Sequence, residues 1–385
     1  MTESSQSYNI LLLTAEFPPQ IGGIATLTSQ LAEELHGKKV KGKEVKVHVV
    51  TSVGRRKEYG FPVTRTPGFL NVKLLKIFPL FFATLGVWLR ERPDKLLLGK
   101  WTHEGFVAYI MAKVFDVPYV TLAHGSEILK FKDRKFIGFI LKKLLKVSQK
   151  VIAVSNYTRG LVLELGLPEE KIKVVNNGIK LQNYNSDIAT DDFEDNYNLG
   201  NKTVLLSVSR LVRRKGHDMV LESLVDIVGS HPDIIYLIAG DGEYREKLEL
   251  KAKDLGLTEI VTFLGFVDGN ILDKAYKASD IFVMPNRIEE RRADVEGFGI
   301  SFLEANLFGL PVIAGRSGGA VDSVIDGKTG FLVDPENVEE IRERLIQLIE
   351  DKQLRDKLGS KGRKRVLEQL NVRCQAEEIL KELCV

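Results

Sequence analysis

Short apolar runs alternate with amphipathic stretches along almost the whole chain, and this alternation limits the folds that it can adopt. Parallel strands need a long crossover, usually a helix, between one strand and the next. Alternating βα units therefore predict parallel sheets covered by helices. The predicted strands of a first sheet are Asn9–Thr14, Val45–Thr51, Lys95–Leu98, Tyr119–Ala123, Lys150–Val154 and Lys173–Val175. Those of a second sheet are Thr203–Ser207, Ile234–Ala239, Val261–Leu264, Ile281–Met284, Val312–Ala314 and Gly330–Val333.

The length of the chain fits two such domains. Its 385 residues exceed what one ordinary core accommodates, because domains usually contain about 100–200 residues. The segment Leu181–Lys202 is rich in Asn, Asp and Tyr and poor in aliphatic residues, so we expect the linker there. Ligands of open α/β sheets bind at the carboxyl ends of the strands. Two such domains facing each other would therefore form a cleft.

Composition indicates a globular protein without a membrane-spanning segment. The longest apolar run, Ile77–Leu89, has 13 residues and contains Pro79, whereas a spanning helix needs about 20. Residues 1–9 lack the basic segment of a signal peptide, and two cysteines near the C-terminus predict no disulfide framework. We expect a cytoplasmic protein, peripheral on the cytoplasmic face of the membrane if it binds one.

Positive charge is concentrated in the first half of the chain. Residues 1–180 contain 28 basic and 15 acidic residues, a balance of +13 that the net charge of +3 conceals. Such asymmetry indicates an anionic partner for the basic half. No nucleic-acid-binding motif accompanies the charge, so we expect no nucleic acid as a partner.

A basic amphipathic helix is predicted within residues 130–150. Eight Lys and Arg residues fall in this segment, and Lys142, Lys143 and Lys146 are the candidates for membrane contact. A helix of this kind is suited to lying on anionic lipid. Alternatively, its apolar face packs in the core and its basic face is only solvated. The apolar positions at helical spacing are Phe136, Phe139, Ile140, Leu144 and Val147.

Two glutamates separated by seven residues form the most informative local pattern. Residues 294–304 read DVEGFGISFLE and contain Glu296 and Glu304. The two glycines predict a tight loop, and residues 301–309 read as a helix that Ser301 would cap. The start of such a helix binds anions, most naturally a phosphate, and Glu304 could accept hydroxyl donors beside it. The alternative is a capped helix with one solvated glutamate and one glutamate in the loop.

Seven further motifs accompany this pattern in a fixed order. Residues 16–24 read EFPPQIGGI, 123–127 read AHGSE, 207–216 read SVSRLVRRKG and 238–242 read IAGDG. Residues 261–267 read VTFLGFV, 309–319 read GLPVIAGRSGG and 325–335 read IDGKTGFLVDP. Together they resemble the retaining glycosyltransferase family 4, from about residue 8 to about residue 370. Residues 284–296 and 315–320 are most similar to its phosphatidylinositol mannosyltransferase-like subgroup.

The resemblance implies the GT-B fold, an α/β fold of two Rossmann-like, doubly wound parallel-sheet domains facing a deep cleft. The N-terminal, acceptor-binding domain would comprise residues 1–184 and a C-terminal helix at about 367–385 that crosses back onto it. The C-terminal domain, residues 200–366, would bind the nucleotide sugar.

The resemblance also assigns a donor site. Glu296 would contact the hydroxyls of the donor sugar, and Glu304 the ribose of the nucleotide. Arg210 and Lys215 would hold the diphosphate, Arg210 through two oxygens and Lys215 as a point charge. Phe298, Gly299 and Ile300 would lie at the phosphate end of the helix, and the backbone of Val267 would meet the nucleobase. Gly22 and Gly23, after the first strand, would let the backbone approach the diphosphate or the acceptor. Gly240 would either contact the nucleotide sugar or form a structural turn.

No metal ion and no cofactor are expected beside the nucleotide-sugar co-substrate. The chain contains no Asp-x-Asp, the usual carboxylate pair for the metal of metal-dependent transferases. Fixed cations can instead stabilise the charge that develops on the diphosphate leaving group. We assign that role to Arg210 and Lys215, whereas Arg213 and Arg214 fit solvated side chains.

In the N-terminal domain, the resemblance implies that His124 hydrogen-bonds in the sugar site and, more weakly, that Glu127 contacts the acceptor. The chain departs from the family at Asp322, where many members have Glu, and at Lys180, where Asp is common. Both departures leave the predicted reaction class unchanged, but they weaken any inference from the substrates of the family to the substrates of this chain.

The donor that we predict is GDP-mannose and the acceptor a lipid or a cell-envelope glycan, with a UDP-hexose as the alternative donor. A nicotinamide dehydrogenase would need a complete Gly-x-Gly-x-x-Gly after its first strand, which the chain lacks. A nucleotide-sugar epimerase or a phosphorylase has a similar architecture, but a phosphorylase needs a lysine-anchored cofactor and a longer chain. A non-catalytic, membrane-associated nucleotide-binding protein would explain residues 130–150 but not the other motifs.

Overall fold

The computed structural model describes residues 7–20, 22–52, 58–66, 76–289 and 292–384 and divides into two units. The first unit comprises Met1–Asn177 with Val372–Val385, and the second Gly178–Asn371. The segment 181–202, where the linker is expected, lies within the second unit. The chain therefore enters and leaves the second unit once.

The first unit is built on an eight-stranded sheet. The strands are β1 Ser7–Thr14, β2 Lys39–Val40, β3 Lys43–Thr51, β4 Val63–Arg65, β5 Lys95–Leu98, β6 Tyr119–Ala123, β7 Lys150–Ala153 and β8 Ile172–Val174. Their order is β2-β3-β1-β5-β6-β7-β8, with β4 beside β3, and every pair except β2 and β3 is parallel. The helices are α1 Gly23–Leu35, α2 Ile77–Glu91, α3 His103–Val114, α4 Ser126–Leu129, α5 Lys135–Val147 and α6 Asn156–Glu164.

The second unit is built on a six-stranded parallel sheet. The strands are β9 Thr203–Val208, β10 Ile234–Ala239, β11 Val261–Gly265, β12 Ile281–Met284, β13 Val312–Gly315 and β14 Gly330–Val333. The helices are α7 Asp191–Asn196, α8 His217–Val228, α9 Arg245–Asp254, α10 Gly269–Lys277, α11 Ile300–Leu307, α12 Ala320–Ser323, α13 Val338–Glu350 and α14 Lys352–Glu368. The strand order, β11-β10-β9-β12-β13-β14, is the doubly wound Rossmann order, whose direction reverses between β9 and β12.

The strand predictions are confirmed for both sheets. Each of the twelve predicted strands is present, and its ends differ from the prediction by at most two residues. The sequence does not predict strands β2 and β4, because each is short and offers a single aliphatic residue. Such short edge strands carry no period-2 pattern that could mark them in the sequence.

Helix α15, Val372–Leu383, completes the core of the first unit. Ile379, Leu380 and Leu383 are buried in one cluster with Leu31 and Leu35 of α1 and with apolar residues of β1 and β3. The hydroxyl of Tyr8 donates to the carbonyl oxygen of Leu383 at 2.6 Å. A helix from the C-terminal part of the chain therefore packs on one face of the first sheet.

Helix α2 contains the long apolar run that the sequence shows. Pro79 occupies its first turn, where the N–H that proline lacks would have no partner within the helix. Among the described residues, no helix combines the length and the apolar character needed to cross a membrane.

Candidate active site

The candidate site of the second unit lies where the direction of its sheet reverses. Ligands of doubly wound sheets bind outside the carboxyl ends of the strands at this point. The loop after β9 carries Arg210 and Lys215, and the loop after β12 carries Glu296. The two loops are joined by a hydrogen bond from the N–H of Arg287 to the carbonyl oxygen of Arg214 at 2.8 Å. The fold therefore brings these predicted donor-site residues to the carboxyl ends of β9 and β12.

Backbone contacts fix the shape of the loops at the carboxyl ends of these strands. Gly240, which follows β10, has a φ of +133°, and a Cβ there would collide with the carbonyl oxygen of Ser209. Only glycine permits this approach of the β9 and β10 loops. The N–H of Gly319, after β13, donates to the carbonyl oxygen of Glu296 at 2.7 Å. Gly240 thus has a structural role here, and its predicted contact with the nucleotide sugar stays a prediction.

Four charged side chains form a network at the centre of the site. The carboxylate oxygen Oε2 of Glu296 accepts from Lys215 Nζ at 2.5 Å and from Arg214 Nη1 at 2.9 Å. The Nε of Arg214 also donates to Asp294 Oδ2 at 2.9 Å. The side chains of Lys215, Arg214 and Glu296 are only 9%, 11% and 13% exposed. The network contains two cations and two anions, so it is neutral as a whole.

The network keeps Glu296 ionised. Burial alone would disfavour the carboxylate, but Lys215 and Arg214 together lower the pKa of Glu296 to about 2. Burial lowers the pKa of Lys215, while Glu296 acts in the opposite direction. At neutral pH, Glu296 is therefore a negatively charged acceptor of hydrogen bonds.

Arg214 corrects the sequence interpretation. We expected a solvated side chain at this position, but Arg214 is part of the buried network, whereas Arg213 is exposed. Residues 213–215 form a single turn of 3₁₀ helix, and this turn directs Arg214 and Lys215 inward. Arg210 is exposed and, in the part of the chain that the structure describes, forms no ion pair. It leaves one positive charge available at the surface of the site.

The helix predicted after Glu296 is confirmed, but its start differs from the prediction. Helix α11 begins at Ile300 and is preceded by Gly299, which has a φ of +90°. Ser301 therefore lies inside the first turn and does not cap the helix. Phe298 is buried and packs inside the unit, while Ile300 and Val267 are half-buried. The predicted nucleotide-sugar contacts of Phe298, Ile300 and Val267 stay predictions.

Glu304 lies one turn into α11 and accepts hydrogen bonds from two tyrosines. Tyr184 Oη donates to Oε1 and Tyr276 Oη to Oε2, each at 2.7 Å. Burial raises the pKa of Glu304, and the two hydroxyl donors counteract this effect. The sequence motifs identify Glu304 but give no signal for either tyrosine, because both are distant from it in sequence.

The first unit holds His124 and Glu127 at the carboxyl end of β6. His124 is buried, and its Nε2 lies 2.7 Å from the carbonyl oxygen of Gly99. The backbone N–H of His124 donates to Glu127 Oε1 at 2.7 Å. Apart from their chain neighbours and the backbone of α1, no atom of the described residues lies within 4 Å of a Cβ built on Gly22 or Gly23, at the start of α1. They leave open space beside that helix start.

The predicted amphipathic helix is present as α5, and its exposed face carries part of the apolar pattern. Its buried residues are Gly138, Leu141, Leu144 and Leu145. Phe136 and Phe139, two of the apolar positions at helical spacing, are 75% and 65% exposed, so the alternative in which the whole apolar face packs in the core does not hold for them. The outer surface of this helix therefore combines basic residues with aromatic ones. Lys143 and Lys146 are exposed and Lys142 is half-buried.

Two further helices of the first unit, α2 and α3, also carry exposed apolar residues. Helix α3 packs against both α2 and α5. Val114 of α3 is 65% exposed, and Phe82 of α2 is also 65% exposed. Ile110, Phe78 and Leu89 are further exposed apolar residues on these two helices. We refer to the exposed faces of α2, α3 and α5 as the basic-aromatic surface.

The site has the chemistry to bind an anion beside a group rich in hydroxyls. Arg210 and the start of α11 can attract a phosphate, and the two carboxylates can accept hydrogen bonds from hydroxyl groups. Among the described residues, no group of three or more His, Cys, Asp or Glu side chains is arranged to hold a metal ion.

Comparison with known proteins agrees with the sequence motifs. The family model described as Glycosyltransferase Family 4 matches residues 21–183, and the model Glycosyl transferases group 1 matches residues 189–365. A GDP-mannose-dependent alpha-(1-6)-phosphatidylinositol monomannoside mannosyltransferase of Mycolicibacterium smegmatis is 31% identical over 368 residues. The match covers 92% of each chain.

Solved structures share the fold over nearly the whole chain. The crystal structure of Anabaena HepE in complex with UDP and glucose has a TM-score of 0.78 at 22% identity, covering 97% of this chain and 99% of that one. Sucrose-phosphate synthase from Thermosynechococcus elongatus has a TM-score of 0.81 at 21% identity, with 98% of both chains covered. The expected GT-B fold, with its two parallel-sheet domains, is confirmed.

Proposed function

The chain belongs to glycosyltransferase family 4, and on that premise we propose that this hexosyltransferase moves mannose from GDP-mannose to a lipid or glycan acceptor of the cell envelope. The relative from M. smegmatis, which bears the name of a GDP-mannose-dependent enzyme, supports the choice of donor. Transfer in this proposal proceeds with retention of the anomeric configuration and without a metal ion or another cofactor.

The observation that carries the proposal is the network around Glu296. A buried carboxylate with a pKa of about 2 stays ionised and can accept hydrogen bonds from sugar hydroxyls at any physiological pH. Two cations hold it in place from one side, while α11 begins four residues further along the chain. In the proposed complex, Glu296 binds the donor sugar, and the start of α11 binds the phosphate groups.

Such an enzyme must stabilise the negative charge that the leaving group gains in the transition state. When the bond between the sugar and the diphosphate breaks, negative charge develops on the diphosphate. Arg210 is exposed and can grip two phosphate oxygens, and Lys215 can share its protons between Glu296 and a phosphate. In the proposal these two fixed cations replace a metal ion. Hydrogen bonding of His124 to the donor sugar and contact of Glu127 with the acceptor stay predictions.

A UDP-hexose is the second candidate donor. Anabaena HepE has the same fold and was crystallised with UDP and glucose. The resemblance at residues 284–296 and 315–320 favours GDP-mannose. A UDP-dependent enzyme would act in the synthesis of a polysaccharide rather than of a mannolipid.

Titration calorimetry and product analysis test the proposal. We expect GDP to bind more tightly than UDP, GDP-mannose to release GDP in the presence of acceptor, and this release to persist in EDTA. Glu296→Gln should lower turnover by about 10²-fold, as for loss of a preorganised polar contact, while GDP affinity changes less. The product, analysed by NMR, should carry an α-linked mannose. Selective UDP binding would favour the second donor, and abolition of activity by EDTA would contradict the metal-free mechanism.

We also propose that the first unit binds the cytoplasmic face of an anionic membrane. Residues 1–180 carry a balance of +13, and the basic-aromatic surface presents lysines next to exposed phenylalanines. Basic side chains are attracted by anionic headgroups, and aromatic side chains insert at the interface. A lipid acceptor would be reached directly from such a position.

A further inference from the structure

Both oxygens of the Glu304 carboxylate are held by tyrosine hydroxyls. The two O–H groups donate to different oxygens, and each distance is 2.7 Å. Tyr276 is on α10, while Tyr184 precedes the second sheet by almost twenty residues. The side chain of Glu304 is half-buried, so it is held inside the unit but can still be reached by a ligand.

The two tyrosines are themselves fixed by packing. The ring of Tyr276 is fully buried and stacks on Phe308, with 5.3 Å between ring centroids. Tyr184 packs edge-on against the same Phe308 at 6.4 Å. The N–H of Asn185 donates to Asp273 Oδ2 at 2.8 Å and fixes the backbone next to Tyr184. Neither hydroxyl can therefore leave Glu304 without disturbing these contacts.

The hydrogen bonds leave part of the carboxylate free. An ionised carboxylate has about four acceptor positions, two on each oxygen. Among the described residues, the tyrosines are the donors to these two oxygens. They occupy one position on each oxygen, so each oxygen can accept one further bond. A pair of adjacent hydroxyl groups, as in the ribose of a nucleotide, fits two neighbouring acceptors of this kind. The fixed tyrosines thus reduce the number of orientations that Glu304 can adopt before a ligand arrives.

We propose that Tyr184 and Tyr276 are positioning residues that hold Glu304 ready for the two ribose hydroxyls of the donor nucleotide. The inference rests on the proposed function, because it assumes a nucleotide donor. Their contribution is made through Glu304 rather than by contact with the ligand. Nucleotide affinity should therefore depend on the tyrosine hydroxyls only when the ribose hydroxyls are present.

Paired titrations of the intact protein with GDP and 2′,3′-dideoxy-GDP test this dependence. The wild-type protein should bind GDP at least about tenfold more tightly than the dideoxy compound, since buried acceptors left unpaired weaken binding. Tyr184→Phe and Tyr276→Phe should each weaken GDP binding by about tenfold, as for one charge-assisted hydrogen bond, and change dideoxy-GDP binding little. If the wild type binds UDP instead, UDP and its dideoxy analogue take their place.

A third variant controls for the loss of a buried tyrosine hydroxyl in general. Tyr119→Phe removes a buried hydroxyl of the first unit, which donates to the carbonyl oxygen of Leu144 at 2.5 Å. Its GDP affinity should equal that of the wild type, even if its melting temperature falls. Thermal unfolding of every variant verifies that it is folded. Tyr184 is only partly buried, so Tyr184→Phe decides the matter if Tyr276→Phe does not fold.

The outcomes separate this inference from the proposed function. Normal GDP affinity in both folded tyrosine variants would overturn it, as would equal weakening of GDP and dideoxy-GDP binding. Failure of the wild-type protein to bind either GDP or UDP would instead overturn the proposed function, and this inference with it. A loss confined to the nucleotide that has its ribose hydroxyls supports the positioning role.

Discussion

Arg214 shows how one side chain can connect the parts of a polar site. Its guanidinium contacts both Asp294 and Glu296, although these residues lie on a different loop. Removing one partner from a buried ion pair costs about 3–5 kcal/mol, because the remaining charge stays buried without compensation. The side chain of Arg214 is 11% exposed, so its loss cannot be fully compensated by water.

Arg214→Gln should therefore impair both stability and turnover. We expect the free energy of unfolding of the second unit to fall by about 3 kcal/mol, and kcat to fall by about 10²-fold, as for a misplaced catalytic group. Because Arg214 is one of the two cations that lower the pKa of Glu296, this pKa should rise in the variant. The acid limb of the activity profile should then move to higher pH.

Arg213→Gln is the matched control, because it removes the same charge from an exposed neighbour. Chemical unfolding and steady-state kinetics should show a lower unfolding free energy and a lower kcat for Arg214→Gln than for Arg213→Gln. Equal behaviour would mean that the net charge of the loop matters and that the specific contacts of Arg214 do not.

The sequence could identify some of these residues and not others. Glu296, Glu304 and Lys215 stand in motifs whose spacing indicates a polar site. Arg214 stands in the same motif, but adjacent basic residues in a turn give no sign of which one points inward. The contacts of the tyrosines with Glu304 arise from packing between distant segments, which no local pattern records.

Among the secondary-structure elements, α5 shows where helical periodicity is ambiguous. The helix has two apolar stripes, and the spacing alone predicts burial of either. The structure buries the stripe that contains Gly138, whose small size allows the preceding loop to approach. A Cβ at Gly138 would collide with the carbonyl oxygen of Lys132. The close contact selects the buried face, and Phe136 and Phe139 remain outside.

Changing Lys142, Lys143 and Lys146 to Glu should release the protein from anionic vesicles. Each lysine near such a surface contributes about 1 kcal/mol, and the attraction weakens with salt. Vesicle sedimentation at low and high salt measures the effect. Phe136→Ser with Phe139→Ser should weaken binding at high salt as well, because insertion of apolar groups is not screened.

Three exposed lysines of α14 provide the control for this charge reversal. Changing Lys357, Lys361 and Lys364 to Glu alters the net charge equally but leaves the basic-aromatic surface intact. Vesicle binding should then change little. Loss of binding in both variants would mean that net charge alone governs the association, and wild-type protein that ignores anionic vesicles would refute the membrane proposal.

For the whole molecule, the sheets were predictable because buried parallel strands give continuous apolar runs. The role of residues 181–202 was harder to predict from composition. Their polar side chains make specific contacts within the second unit, such as the ion pair between Asp192 and Lys274. Polar composition indicates a lack of core residues, but it does not distinguish a free linker from a segment that is fixed by polar contacts.

Because α15 belongs to the first unit, we expect substitutions in this helix to lower the stability of the first unit and not that of the second. Ile379→Ala should destabilise the first unit by about 2–5 kcal/mol, because it leaves a cavity in a packed cluster. The second unit should retain its stability and its nucleotide affinity. Denaturant unfolding, followed separately by vesicle binding and nucleotide binding, resolves the two units.

The exposed residue Lys381 of the same helix serves as the control, since Lys381→Ala removes no buried group. The Lys381→Ala variant should leave the unfolding transitions of the first and second units unchanged. A single shared transition that shifts in the Ile379→Ala variant would show that the two units unfold together.

Helix α15 also determines the order in which the protein can fold on the ribosome. The second unit is continuous from Gly178 to Asn371 and has its whole core once it has emerged. The first unit waits for residues 372–383, which at roughly 5–20 residues per second are translated about 10–40 s after its main segment ends at Asn177. Until then the apolar surface of α1 that α15 covers stays open to chaperones. The half of the chain that is made first is the half that folds last.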